Sequence, residues 1–352
     1  MIPTNRQAER RLRQILARGS ANLGEKPDCE RLMLMVTRDC ELRCAYCFVD
    51  KTDNGPVLPA DTVTRAIDLM MSSRRSRLEL QLFGGEPSRA WDRVQLAFEY
   101  ARDHPERRGR HLQRTLTSNG LNLDPARIAW LEDNEVLVLF SLDGDAEAHR
   151  RFRAGPDTDG EHETVMRSLA LLRESRVDWF MNAVLAPASA GEVWDRYAWA
   201  LEQGVPALQL NYAVGMAWKP EQERAYLEGL ERVLRHHHTE RPDILLYNWR
   251  SDCEPVMLSD DLIVDVDGTI LHDGAIFLER SMPALKRTYR RGHLDEATAF
   301  DPLRWDLATL CKTMVETWPE GHKKRAAAIQ NIRMGAAVDL LVLSLRRELG
   351  RP

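Results

Sequence analysis

The sequence predicts an α/β fold: a partial (β/α)6 barrel followed by a small C-terminal β-hairpin plus helices. Three observations carry this. Short apolar runs rich in β-formers alternate with longer amphipathic stretches at roughly 30–45-residue spacing, the mark of βαβ units and a parallel sheet. Six such units suit an open barrel rather than a closed eightfold one. After about residue 215 the repeat stops, and a charged helical pattern leads into an Asp267-Gly268 turn between two apolar runs.

The elements follow in order. Strands are expected at 32–36, 78–83, 113–117, 136–141, 179–185 and 207–211, and helices at 59–71, 90–103, 125–132, 163–174 and 191–203. Downstream, a helix is expected at 219–238, a hairpin over 262–266 and 269–272, and helices at 302–316 and 323–348. The last carries an apolar face at Ile329, Ile332, Met334, Val338, Leu341, Val342 and Leu345. Three regions result: a helical extension over 1–30, the barrel over 31–215, and a C-terminal cap with helices over 216–352. No linker rich in Gly, Ser or Pro separates them, so the cap is expected to pack on the barrel.

Composition narrows the class. Of 352 residues 43% are hydrophobic and 29% charged, the mixture of a globular chain. A net charge of −5 offers no reason to expect nucleic acid. No continuous apolar run approaches the ~18 residues that span a bilayer, and the basic N-terminus lacks a secretory apolar segment. A cytoplasmic location is expected. Six cysteines, at 29, 40, 44, 47, 253 and 311, are in such a setting a metal-binding signal before a disulfide framework.

The sharpest feature is Cys40-Glu41-Leu42-Arg43-Cys44-Ala45-Tyr46-Cys47, directly after the first expected strand. Three thiolates at this spacing on one loop can hold three corners of a cubane [4Fe-4S] cluster and leave the fourth iron open. A structural zinc site would want four closed ligands, and no second cysteine pair lies nearby. Three cysteines within eight residues, among Glu and Arg, are not a core pattern either.

This spacing, with an aromatic residue before the third cysteine, resembles the radical S-adenosylmethionine (SAM) superfamily. The resemblance runs over about residues 30–215 and gathers further stations, each at a strand end. Gly84-Gly85-Glu86-Pro87 follows the second strand, where the family binds the SAM amino group. Ser118 and Asn119 end the third, near the ribose station. Ser141 and Asp143 end the fourth and are followed by His149 and Arg153; there the resemblance is to the anaerobic sulfatase-maturase branch with its SPASM and twitch peptide maturases. It implies that the serine and the arginine lie near the SAM carboxylate. Leu185 sits at a station that often packs on adenine. One departure is that Arg150 stands where the family often has Asp. Each station alone could be an ordinary turn; their order after the cysteine loop is what carries weight.

The resemblance implies a radical SAM enzyme, with SAM as cofactor, that forms a 5′-deoxyadenosyl radical and abstracts a hydrogen. A peptide or protein substrate is expected, with a sugar, nucleoside or amino acid as the alternative. A flavodoxin- or ferredoxin-type reductant is implied, in an oxygen-poor setting. Only 39 residues precede Cys40, short of the fused peptide-recognition domain of many maturases. A precursor peptide would therefore call for a separate leader-binding protein or another surface of this chain. In twitch and SPASM enzymes, further cysteines in the cap hold auxiliary clusters. Here the expected position near His272 and Asp273 lacks cysteine, so a twitch-like cap and one cluster per chain are expected, favouring redox-neutral outcomes. Cys253 and Cys311 are candidate hydrogen donors, and Asp265 a candidate proton acceptor. The tract His236-His237-His238 and the basic runs 74–77, 107–110 and 286–291 read as solvated surface. Trp179, Trp194, Trp199, Trp218 and Trp249 read as core or cavity wall.

Overall fold

The computed structural model describes residues 2–21, 29–155, 158–249, 259 and 261–350. Six parallel strands appear where alternation and βαβ spacing place them: β1 (Cys29–Thr37), β2 (Arg77–Gly84), β3 (His111–Ser118), β4 (Leu137–Ser141), β5 (Trp179–Leu185) and β6 (Ala207–Tyr212). A short β7 (Leu245–Leu246) extends the row beyond β6. The hairpin forms as β8 (Leu262–Val264) and β9 (Thr269–His272), and β10 (Arg290–His293) adds an outer strand. The sheet order among the described residues is β10-β9-β8-β1-β2-β3-β4-β5-β6-β7. The cap is thus continuous with the barrel sheet, because β8 pairs parallel to β1, Leu32 against Leu262. The hairpin turns at Gly268, whose φ of +83° needs glycine, while Asp267 Oδ1 accepts from Thr269 N at 2.9 Å.

Strand alternation sorts the core into two layers. Leu32, Leu34 and Val36 of β1 join the main apolar cluster beneath the outer helices. Met33 and Met35 point the other way, into a second cluster with Phe83, Ile263, Leu271 and the cap residues Ile276 and Leu285. Helix Ala60–Met71 shows the first pattern from the helical side, burying Val63, Ala66, Ile67 and Met70. Helix Lys323–Glu348 is long and apolar enough to cross a membrane by length and composition, because scattered polar residues do not cancel its mean hydropathy. It is packed against helices Asn5–Ala21 and Pro220–Glu240, with Ile332, Met334, Leu341 and Leu345 buried. Its Asn331 accepts from Gly215 N at 3.0 Å and so locks the chain just beyond β6.

Several expectations are corrected. Helix Ala146–Phe152, capped by Asp145, was not expected because it is only two turns long. The histidine tract is not all solvated: His237 is buried, accepting from Trp249 Nε1 at 2.8 Å and facing the Ile244 carbonyl at 2.7 Å. Its helix turns that residue inward while the flanking histidines stay half-buried. Trp179, Trp218 and Trp249 are core, Trp194 and Trp199 pack partly on it, and Trp179 also lines an open cavity beside Gln113, Arg176 and Tyr247.

Candidate active site

The cysteine loop leaves β1 at Thr37 and is pinned from two sides. Arg43 N and Ala45 N donate to the carbonyls of Ala154 and Phe152, at 3.3 and 2.8 Å. Cys40 and Cys44 are buried and Cys47 is half-buried; all three are free thiols. Burial pushes the Cys40 thiol up to about 12 and raises Cys44 as well. Asn119 Nδ2 and Lys51 Nζ approach Cys40 Sγ at 3.8 and 3.7 Å.

The turn after β2 is built around this loop. Gly85 N donates to Thr37 O at 2.7 Å and Glu86 N to Asp39 O at 2.8 Å. A Cβ on Gly85 would stand 2.1 Å from Asp39 O, and one on Gly84 2.3 Å from Thr37 O, so two glycines are a steric requirement. The Glu86 carboxylate is buried and accepts from Ser88 N, Ser88 Oγ, Ser118 Oγ and Asn119 N, the last at 2.6 Å. Burial outweighs these bonds and raises its proton affinity. One carboxylate thereby ties the β2 turn to the end of β3.

Behind the loop, Tyr46 donates to Asp143 Oδ2 at 2.5 Å and accepts from Arg153 at 2.8 Å, and Asp143 Oδ1 also holds Val184 N at 3.0 Å. Arg153 and Asp143 are 3.7 Å apart. His149 lies buried beside Glu161 at 3.6 Å. Burial first, then Arg153, pushes its imidazole down to about 4, leaving it neutral at pH 7.

These parts meet at a cavity of about 280 Å³. Of the sequence-predicted residues, Cys40, Cys44, Cys47, Tyr46, Gly84, Gly85, Glu86, Pro87, Ser118, Asn119, Ser141 and Arg153 line it together. Two of the expected cofactor-binding residues are not among those lining this cavity. Asp143 does not line the cavity; its acceptor capacity is spent on Tyr46, Arg153 and the β5 backbone. Leu185 points into the main core, and its neighbour Val184 lines the cavity instead, since successive strand residues face opposite sides. Cys311, a candidate hydrogen donor, packs on the cap cluster and is not among the residues lining this cavity. Cys253 lies outside the described residues. Asp265 is not a free proton acceptor but a buried partner of Arg38, at 2.8 Å, and of Lys286, at 2.6 Å.

Sequence reading missed several contributors. Lys51 lines the cavity beside the thiols. Gln81, Asn182 and Asn211 face inward as neutral polar groups; Gln81 donates to Thr117, the residue before Ser118 at the ribose station, at 3.0 Å and Asn211 to Asn182 at 2.8 Å. In β6, Gln209 and Asn211 stand two apart in an otherwise apolar strand and both line the cavity, a spacing that was the available signal. Phe277 from the cap packs edge-on against Phe48 of the loop, centroids 4.9 Å apart, and closes the apolar side.

The donor set suits iron and sulfur. Three soft thiols on one loop, with no disulfide and no fourth cysteine beside them among the described residues, fit a cluster that keeps one iron open. Among the described residues no three His, Cys, Asp or Glu side chains stand together at metal-ligating distances.

Known proteins agree with this geometry. Residues 34–200 match the Radical SAM superfamily. The radical SAM cyclopropyl synthase TigE of Paramaledivibacter caminithermalis is 22% identical over 44% of this chain and 35% of its own length. The cysteine-type anaerobic sulfatase-maturating enzyme of Clostridium perfringens is 24% identical over 52% of this chain and 51% of its own. The chain thus spans about a third to a half of these relatives. Among solved structures, native anSMEcpe with bound AdoMet superposes with a TM-score of 0.72 at 16% identity, over 92% of this chain and 100% of that one. SuiB of Streptococcus suis does so with a TM-score of 0.56 at 14%, over 86% and 71%. At these identities the structural likeness is one of fold. Residues 34–200 are a radical SAM domain, and the similarity of the chain is to the side of that superfamily that includes the anaerobic sulfatase-maturating enzymes.

Proposed function

We propose that this chain cleaves SAM reductively and uses the resulting radical to abstract a hydrogen from a peptide or protein. The observation that carries the reading is the single cavity shared by three thiols and the SAM stations at the ends of β2, β3 and β4. When bound, a [4Fe-4S] cluster with one open iron supplies the electron that breaks the sulfonium C–S bond.

The chain's own residues supply position and exclusion. Cys40, Cys44 and Cys47 would hold the cluster. The Gly84-Gly85 backbone, with Glu86 fixing its exit, would receive the SAM amino group. Ser141 and Arg153 would face the carboxylate, Ser118 and Asn119 the ribose, and Val184 in place of Leu185 the adenine. Tyr46 and Asp143 hold Arg153 in place from behind. The Phe48, Phe83 and Phe277 wall keeps water from the reacting carbon.

The peptide reading draws support from the sulfatase-maturating relative and from two fold neighbours, one described with a bound Kp18Cys peptide and one with precursor peptide SuiA. A second reading, a small-molecule substrate, is favoured by a 96-residue stretch 32% identical to the GTP 3′,8-cyclase of Paenarthrobacter nicotinovorans, over 26% of this chain. One cluster per chain and a flavodoxin- or ferredoxin-type reductant complete the proposal; about eight irons per chain would sink the single-cluster part. The test is anaerobic reconstitution with iron, sulfide and dithionite. Methionine and 5′-deoxyadenosine should form in equal amounts, and an intact cluster without cleavage would overturn the proposal.

A further inference from the structure

Most cations around the cysteine loop have a carboxylate partner. Arg38 pairs with Asp265 and Glu279, Arg43 with Asp53, Arg89 with Asp39 and Glu41, and Arg153 with Asp143. Lys51 and Arg280 differ, since among the described residues no carboxylate pairs with either. Arg280 is exposed and donates to the Cys47 carbonyl at 2.9 Å. Lys51 is half-buried, lines the cavity, and points inward. Its Nζ donates to Leu42 O at 2.7 Å and stands 3.7 Å from Cys40 Sγ. An ammonium held there by a neutral carbonyl keeps its charge uncompensated and aimed at the three thiols.

We propose that Lys51 is the fixed positive charge of the cluster site, pairing with the Cys40 thiolate and setting the reduction potential of the cluster. This rests on the reading that Cys40, Cys44 and Cys47 hold that cluster. A ligated cluster places three thiolates here, and reduction adds one more negative charge to the same small volume. An ammonium at sulfur-contact distance stabilises the reduced form more than the oxidised form, because the attraction scales with the product of charges. The half-buried position limits solvent screening. Lys51 is therefore a positioning and tuning residue; it need not touch SAM or substrate.

The test is a redox titration of the reconstituted full chain without SAM, followed by the EPR signal of the reduced cluster, with iron counted per chain. At the potential that half-reduces the wild type, Lys51→Met and Lys51→Gln should show about a tenfold lower reduced-to-oxidised ratio, equivalent to 59 mV for one electron. Lys51→Gln keeps a donor for the Leu42 carbonyl, so it separates charge from hydrogen bonding. Lys51→Arg should restore the wild-type midpoint. Neutral variants that load iron and keep that midpoint overturn the proposal. If both neutral variants fail to load iron while Lys51→Arg loads it, the charge is needed to hold the cluster, which supports the proposal. Failure of Lys51→Arg as well shows a role in shape rather than charge and overturns it. A wild type that takes up no cluster refutes the reading of the cysteines themselves.

Discussion

The strand ends of the barrel and the C-terminal cap meet at one cavity, by different means. The barrel side brings polar atoms on short loops: the thiols, the Gly84-Gly85 backbone, Glu86, Ser118, Asn119 and Arg153. The cap brings Phe277 to the wall and, out of sight of the cavity, the carboxylates of Asp265 and Glu279 that clamp Arg38 two residues before Cys40. The chemistry is carried on contiguous loops, and the cap supplies position and shape. Changes on the barrel side should therefore abolish function, and changes in the cap should first cost stability.

The largest effect is expected at the thiols. Cys40→Ala, Cys44→Ala or Cys47→Ala should each reduce iron uptake and bring 5′-deoxyadenosine formation to background, read by iron assay and chromatography. Gly85→Ala comes next. Its Cβ would meet the Asp39 carbonyl at 2.1 Å, and relieving overpacking of about 1–3 kcal/mol should displace the cysteine loop. SAM cleavage should drop by at least about tenfold, 1.4 kcal/mol, while the chain stays folded by circular dichroism.

On the cap side, Asp265→Asn breaks a buried ion pair and should destabilise the chain by about 3 kcal/mol at neutral pH in urea melts. Burial alone would raise this carboxyl, but hydrogen bonds from Arg38 and Lys286 hold it below the usual carboxylate range. A depressed folded value gives stability that is full above the unfolded value of about 3.9. It is lost as pH falls through the lower folded value, so the gap between wild type and variant should narrow below about pH 4. An equal gap at pH 7 and pH 2.5 would show that the pair is not ionic. Smallest of all, Cys311→Ala should leave SAM cleavage within about twofold and cost about 0.5–1 kcal/mol, since this thiol packs on the cap cluster away from the cavity. Loss of cleavage there would erase the distinction between the two regions.

The same division explains what could be read from sequence. The cysteine loop, the glycine pair and the strand-end polar residues are local patterns, each a few residues long, and the six barrel strands follow from alternation. Contacts between distant segments left no local trace. Arg38 and Asp265 are 227 positions apart, and nothing in either neighbourhood marks them as partners. Leu185 and Val184 show the limit of reading a strand end to one residue, because a single step exchanges cavity for core. Lys51 escaped notice because a lone lysine after a loop looks like solvated surface until its carbonyl and thiol neighbours are seen.

The central claim is that the cysteine loop presents an open iron to SAM within this cavity. The most direct measurement is the EPR spectrum of the reduced, reconstituted chain with and without SAM. If Cys40, Cys44 and Cys47 hold a cluster with one iron open to SAM, the spectrum should change on adding SAM and revert to the SAM-free form in Gly85→Ala. A reduced cluster whose spectrum is indifferent to saturating SAM would contradict the account.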